Sequence, residues 1–135
     1  MPLEIELLPI LSDNYCFLLR EPASGLSAVV DPGTDAPVAE RLESLGRGLD
    51  WIIVTHHHSD HVAGIPTLRA RYGAKVVGPR AEAQRIEHLD LAVAENDRFA
   101  LGEAVAMVLA TPGHTAGHVS YHFPESHALF CGDTL

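Results

Sequence analysis

The sequence is short of cysteine, of positive charge and of long apolar runs, and each shortage excludes something. Its two cysteines, Cys16 and Cys131, lie far apart and form no C-x-x-C pair. They read as two small buried side chains in a reducing compartment rather than as a disulfide. Nine Lys and Arg stand against eighteen Asp and Glu, a formal charge of -9. Such a surface repels phosphate backbones, so nucleic acid is a poor partner. The longest apolar run, residues 104–110, is too short to span a bilayer. The opening M-P-L-E-I-E-L-L-P-I has no basic n-region, so it is not a signal peptide. No linker, internal repeat or low-complexity tract divides the chain. What is present is 135 residues, 47 % of them hydrophobic. That supports one packed domain, residues 1–135, which reads as soluble and cytoplasmic with no membrane contact.

The chain alternates short strands with single helices. Residues 3–8 alternate apolar and acidic, as a half-buried strand does, and residues 15–19 and 27–30 follow as strands two and three. Residues 37–45 predict a helix, with Asp35 as its N-cap and Gly46 at its end. The continuous W-I-I-V of residues 51–54 suits a strand covered on both faces. A helix over 63–72 closed by Gly73, a strand over 75–77 and a helix over 81–88 come next. Strands over 99–101 and 104–109 flank Gly102-Glu103 as a hairpin. Two more, over 119–123 and 128–131, surround P-E-S. The pattern predicts a sheet-rich α/β layered fold.

T-H-H-H-S-D-H, Thr55 to His61, places four of the nine histidines within six positions. In an extended segment, His56 and His58 point the same way and can converge on one metal ion, while His57 points away. Asp60 and His61 sit where the chain turns toward the next helix, and can aim at a second point nearby. Imidazole and carboxylate without thiolate suit catalytic zinc, with iron or manganese as alternatives. The cluster follows a buried strand, where ligands gather in α/β sheets. A metal site therefore explains it better than a surface histidine run.

T-P-G-H-T-A-G-H, Thr111 to His118, also follows an apolar strand, and its glycines permit a tight loop. Alone, a histidine there means little. Beside a two-histidine partial site, His114 becomes the candidate third ligand, and His118 a group that orients a neighbour through a hydrogen bond. Asp133 again follows a strand, and a carboxylate can bridge two metals. Of the remaining histidines, His88 and His127 read as solvent-facing and His122 as a satisfied buried residue.

Taken together, L-S-D-N-Y (Leu11 to Tyr15), V-V-D-P-G (Val29 to Gly33), the two histidine motifs and L-F-C-G-D-T-L resemble the metallo-β-lactamase superfamily. Within it they are most similar to glyoxalase II, the hydroxyacylglutathione hydrolases. The resemblance is to the N-terminal part of that family and covers essentially the whole chain. It implies an αββα sandwich, incomplete at its C-terminus, with a binuclear site at one edge. By similarity, His56, His58 and His114 hold a first divalent ion, Asp60 and His61 a second, and Asp133 bridges them. The resemblance also implies that Asp60 and Asp133 are the catalytic carboxylates. The implied reaction is hydrolysis of S-D-lactoylglutathione to D-lactate and glutathione by a metal-activated hydroxide. Asp31 matches the V-D-P-G position. It reads either as support for the histidine loop or as a plain strand-ending turn.

The family's further histidine ligand and its glutathione-binding basic and tyrosine residues have no counterpart in these 135 residues. The chain therefore reads as a portion of a longer protein that is monomeric at full length, binding one metal well, the second poorly, with little turnover alone. Rival readings are a lactonase, a β-lactamase-like enzyme or general thioesterase of the same superfamily, a persulfide dioxygenase, and a non-enzymatic zinc-binding domain.

Overall fold

The computed structural model describes residues 3–10, 14–56, 62–86, 89–112 and 117–131. Two sheets pack face to face. The larger contains β1 (Glu4–Ile10), β2 (Asn14–Arg20), β3 (Ser27–Val30), β4 (Trp51–Ile53), β5 (Lys75–Pro79) and β6 (Leu91–Val93), in that order. Its first three strands are antiparallel and the last four run parallel. Parallel neighbours need crossovers. Helix α1 (Ala36–Leu45) joins β3 to β4, and α2 (Ile65–Tyr72) lies between β4 and β5. The smaller sheet is an antiparallel meander, β10 (Ala128–Phe130), β9 (Val119–Phe123), β8 (Ala104–Ala110) and β7 (Arg98–Leu101).

Two cores result, and the strand period assigns consecutive residues to opposite ones. Val30, Ile53 and Val77 pack against Phe99, Val108, Tyr121 and Phe123 between the sheets. Val29, Ile52 and Val76 face the helices, against Val38, Leu42, Ile65 and Leu68. Ile52 and Ile53 are both fully buried, so β4 is covered on both faces as its apolar run predicts. These layers are helix, sheet, sheet. Among the described residues no helix covers the outer face of the smaller sheet, where Val105 and Leu129 are exposed. Among those residues, too, no helix is long and apolar enough to cross a membrane. Both cysteines are free thiols, Cys16 buried and Cys131 half-buried.

Four expectations are corrected, and one strand is new. Asp35 occupies the N-cap position of α1 but makes no side-chain capping bond, because its backbone is already helical. The helix expected over 81–88 is a 3-10 turn, Arg80–Arg85, broken by non-helical Glu82. Strand β6 was not foreseen. The inward face of β1 changes along its length: Ile5 and Leu7 are exposed, whereas Leu8 and Ile10 are buried against the helix side. His122 is half-buried rather than in the core.

Candidate metal centre

Strand β4 delivers the histidine motif. After Ile53 the chain continues through Val54, Thr55 and His56, all fully buried. Asp31, at the end of β3, receives the Thr55 backbone N–H on Oδ1 at 2.8 Å and the Thr55 hydroxyl on Oδ2 at 2.7 Å. Thr55 Oγ1 lies 2.9 Å from His56 Nδ1. A hydroxyl has one proton and a carboxylate only accepts. With the Thr55 proton committed to Asp31, Oγ1 can only accept, so His56 Nδ1 is the donor. The neutral ring then carries its lone pair on Nε2, the atom a metal needs, and Nε2 is sealed from solvent. Asp31 does this from a left-handed backbone, φ 53°, uncommon for a residue with a Cβ. Of its two readings, support for the histidine segment is the one the geometry realises.

The second histidine motif and the strand that follows it meet the first motif and the residue before it at three points. Val119 N–H donates to the Thr55 carbonyl at 3.0 Å. The Tyr121 hydroxyl donates to the Val54 carbonyl at 2.7 Å. Burial first, and then the charge of Asp31, push its phenol well above the ordinary range, so it keeps its proton as a donor. His118 stacks on His56, ring centroids 4.8 Å apart and planes 28° from parallel. From the sequence, His118 is expected to orient a neighbour through a hydrogen bond; its contact with His56 is instead this ring stacking. Its Nδ1 is hydrogen-bonded to the Thr111 hydroxyl at 2.9 Å, and Thr111 to the Ser120 hydroxyl at 2.9 Å.

The residues that flank the His114 segment are tied at two points. Thr111 N–H donates to the His118 carbonyl at 2.9 Å. Gly117 N–H donates to Glu82 Oε2 at 2.9 Å, and Glu82 is buried. A Cβ on Gly117 would stand 2.6 Å from Glu82 Cγ, so only glycine permits this approach. Downstream of the first motif, Gly64 N–H donates to the Pro32 carbonyl at 2.8 Å, and a Cβ on Gly64 would collide with that same oxygen. The third strand end also arrives nearby: Cys131 and Asp31 line one cavity of about 120 Å³ with Tyr15 and Phe130.

Of the six expected ligands, the structure places His56. His58, Asp60, His61, His114 and Asp133 lie outside the described residues, as does His57. Among the described residues no three His, Cys, Asp or Glu form a metal-holding group. The pre-set Nε2 of His56 fits a divalent metal; His118 of the second motif stacks on its ring, and Cys131, two residues before Asp133, shares a cavity with Asp31. Sequence reasoning missed Thr55, Tyr121, Thr111 and Glu82. Thr55 could have been found, since it precedes the first histidine directly. Glu82 carries no signal in its own neighbourhood.

A sheet pair with helices on one face and histidine motifs at strand ends defines a metallo-β-lactamase-type domain. Residues 11–135 match the metallo-beta-lactamase superfamily, and the chain belongs to it. It is 48 % identical over 135 residues to a hydroxyacylglutathione hydrolase of Cereibacter sphaeroides, covering all of this chain and 53 % of that protein. A hydroxyacylglutathione hydrolase of Methylococcus capsulatus is 48 % identical over 133 residues, covering 98 % of this chain and 52 % of its own length. The chain thus spans about half the length of these curated relatives. The crystal structure of the BLEG-1 B3 metallo-beta-lactamase superposes with a TM-score of 0.83 at 22 % identity, over 96 % of this chain and 72 % of that one. At that identity it shows the shared fold alone.

Proposed function

We propose that this chain carries the metal-binding half-site of a hydroxyacylglutathione hydrolase, an enzyme that cleaves S-D-lactoylglutathione to D-lactate and glutathione. The observation that carries the reading is the 48 % identity, spread over all 135 residues, to a protein of that name. The His56 geometry supports it, because the ring is already in the ligating tautomer.

His56, His58 and His114 would hold one divalent ion, Asp60 and His61 a second, and Asp133 would bridge; zinc suits these donors best, with iron or manganese next. When bound, such ions acidify water and polarise the thioester carbonyl. The chain's own part is to keep His56 in one tautomer and rotamer, through Asp31, Thr55 and His118, and to hold the His114 segment through Glu82. The acidic balance disfavours nucleic acid and leaves a small molecule as the substrate, with the cytoplasm as the compartment this reading takes.

Elemental analysis with a thioester assay tests this. The expected result is bound zinc and hydrolysis of S-D-lactoylglutathione ahead of lactones and β-lactams. A tightly bound second ion with full turnover would correct the expectation that these residues alone bind the second metal poorly. Oxygen consumption with glutathione persulfide would move the chain to the dioxygenase branch. Zinc that resists chelation, with no thioester cleaved, would leave a structural metal domain.

A further inference from the structure

Arg85 lines two cavities at once. One, of about 390 Å³, lies along the 3-10 turn, with Arg80, Glu82, Gln84 and Gly117 in its wall. The other, of about 260 Å³, is bounded by Val62, Ala63, Ile65 and Pro66. Gly117 closes the segment that contains His114, and Val62 directly follows the one that contains His58, Asp60 and His61. Arg85 therefore stands between the exits of both ligand-bearing segments.

Its charge meets no carboxylate among the described residues. The chain has nine basic residues against eighteen acidic ones. Six arginines pair with Asp or Glu, and Lys75 lies over the Trp51 ring. Among the described residues, Arg85 and Arg98 have no carboxylate partner. Arg98 faces a separate cavity with Val105, Met107 and Glu125. In so acidic a chain, a guanidinium that lacks a carboxylate partner among the described residues, set between the ends of two histidine-bearing segments, is suited to an anionic substrate. We propose that Arg85 is an anion-binding residue of the substrate site, taking a carboxylate of the thiol half of the thioester on its planar fork. This rests on the thioesterase reading above. It gives these 135 residues a cationic contact of their own for an anionic glutathionyl group.

The test is calorimetric titration of the zinc-loaded chain with S-methylglutathione, which has both carboxylates and no free thiol to compete for metal. Arg85→Ala is expected to weaken binding about tenfold, the loss of one charged hydrogen-bonded pair. Arg98→Ala should bind as the parent chain does, and the dimethyl ester of the ligand should bind the parent as weakly as S-methylglutathione binds the Arg85 variant. Equal binding by Arg85→Ala, equal binding of the ester, or no binding by the parent chain each overturns the proposal. Zinc content and thioester cleavage, measured on the same samples, separate the two readings. Cleavage with unchanged binding in Arg85→Ala removes Arg85 alone. Carboxylate-dependent binding without any cleavage removes the thioesterase reading and leaves the anion site.

Discussion

Thr55 controls His56 with one proton. Its hydroxyl spends that proton on Asp31 and thereby compels His56 Nδ1 to donate. Thr55→Val keeps the shape and removes the hydroxyl. It leaves Asp31 Oδ2 without the Thr55 hydroxyl, and releases the histidine to either tautomer. Metal affinity should fall roughly 10–100-fold, the usual effect of losing the hydrogen bond behind a ligating histidine. Thr55→Ser, which keeps the hydroxyl, should restore most of it. Competition against a zinc chelator reads both, and equal affinities for all three chains would show that the hydroxyl does not set the ring. A circular dichroism melt without metal separates this loss from simple unfolding.

Elements are placed here by single side chains reaching distant backbone. Glu82, on the 3-10 turn after β5, holds Gly117, 35 residues away. Glu82→Ala removes the acceptor, and Gly117→Ala forces a Cβ to within 2.6 Å of Glu82 Cγ. Both should lower zinc affinity, whereas Glu82→Gln, which still offers a carbonyl acceptor, should sit between them and the parent chain. Retained affinity in all three would mean that the His114 segment is held by its neck alone. Glu21 is a second such clip. It accepts the N–H groups of Ala23 and Ser24 in the β2–β3 turn, and that of Glu103 in the β7–β8 hairpin. The Ser24 hydroxyl foremost, and then those backbone donors, overcome the opposing effect of burial and hold its carboxyl near about 2, against an ordinary 4.5. A folded value below the unfolded one stabilises fully above about 4.5, and that contribution is lost as pH falls toward 2. Glu21→Gln should therefore lower the urea midpoint at neutral pH and converge with the parent chain near pH 2; parallel curves would deny the linkage. Both clips explain what the sequence concealed. Trp51–Ile53 is legible because a buried parallel strand needs a continuous apolar run. The His56 motif stands out in the sequence because metal chemistry would demand such residue types at such spacing. Glu82 is not, since its partner is a backbone N–H, which any residue but proline provides. Strand β6 is three residues long with Leu91 exposed, too little to show a period.

The molecule as a whole is unevenly covered. The larger sheet has six strands and the smaller four. Phe130 on β10 packs edge-on against Phe17 on β2, ring centroids 5.3 Å apart, which aligns the end of the smaller sheet with β2. Residues of β1 and β2 that share the inter-sheet face but lie past that end are bare: Ile5 is 42 % exposed, Leu7 51 % and Tyr15 53 %. This also explains why the alternation of β1 misleads, since Leu3, Ile5 and Leu7 share a face and the core reaches Leu3 alone. Beside the strip, β10 pairs only with β9 among the described residues, which leaves its other edge available for pairing. An apolar strip next to a strand edge that is unpaired among the described residues is a candidate association surface. The 135-residue chain should therefore self-associate as its concentration rises and bind a hydrophobic dye such as ANS while still folded. Leu7→Lys puts on β1 the charge that natural edge strands use for protection, at a side chain already half in water, so folding should tolerate it. Sedimentation velocity should then show a smaller associated fraction and dye fluorescence should drop, with the melting temperature within a few degrees of the parent chain. Undiminished association in Leu7→Lys would place the contact elsewhere, and a collapse of the melt would mean that Leu7 contributes to the core despite its exposure.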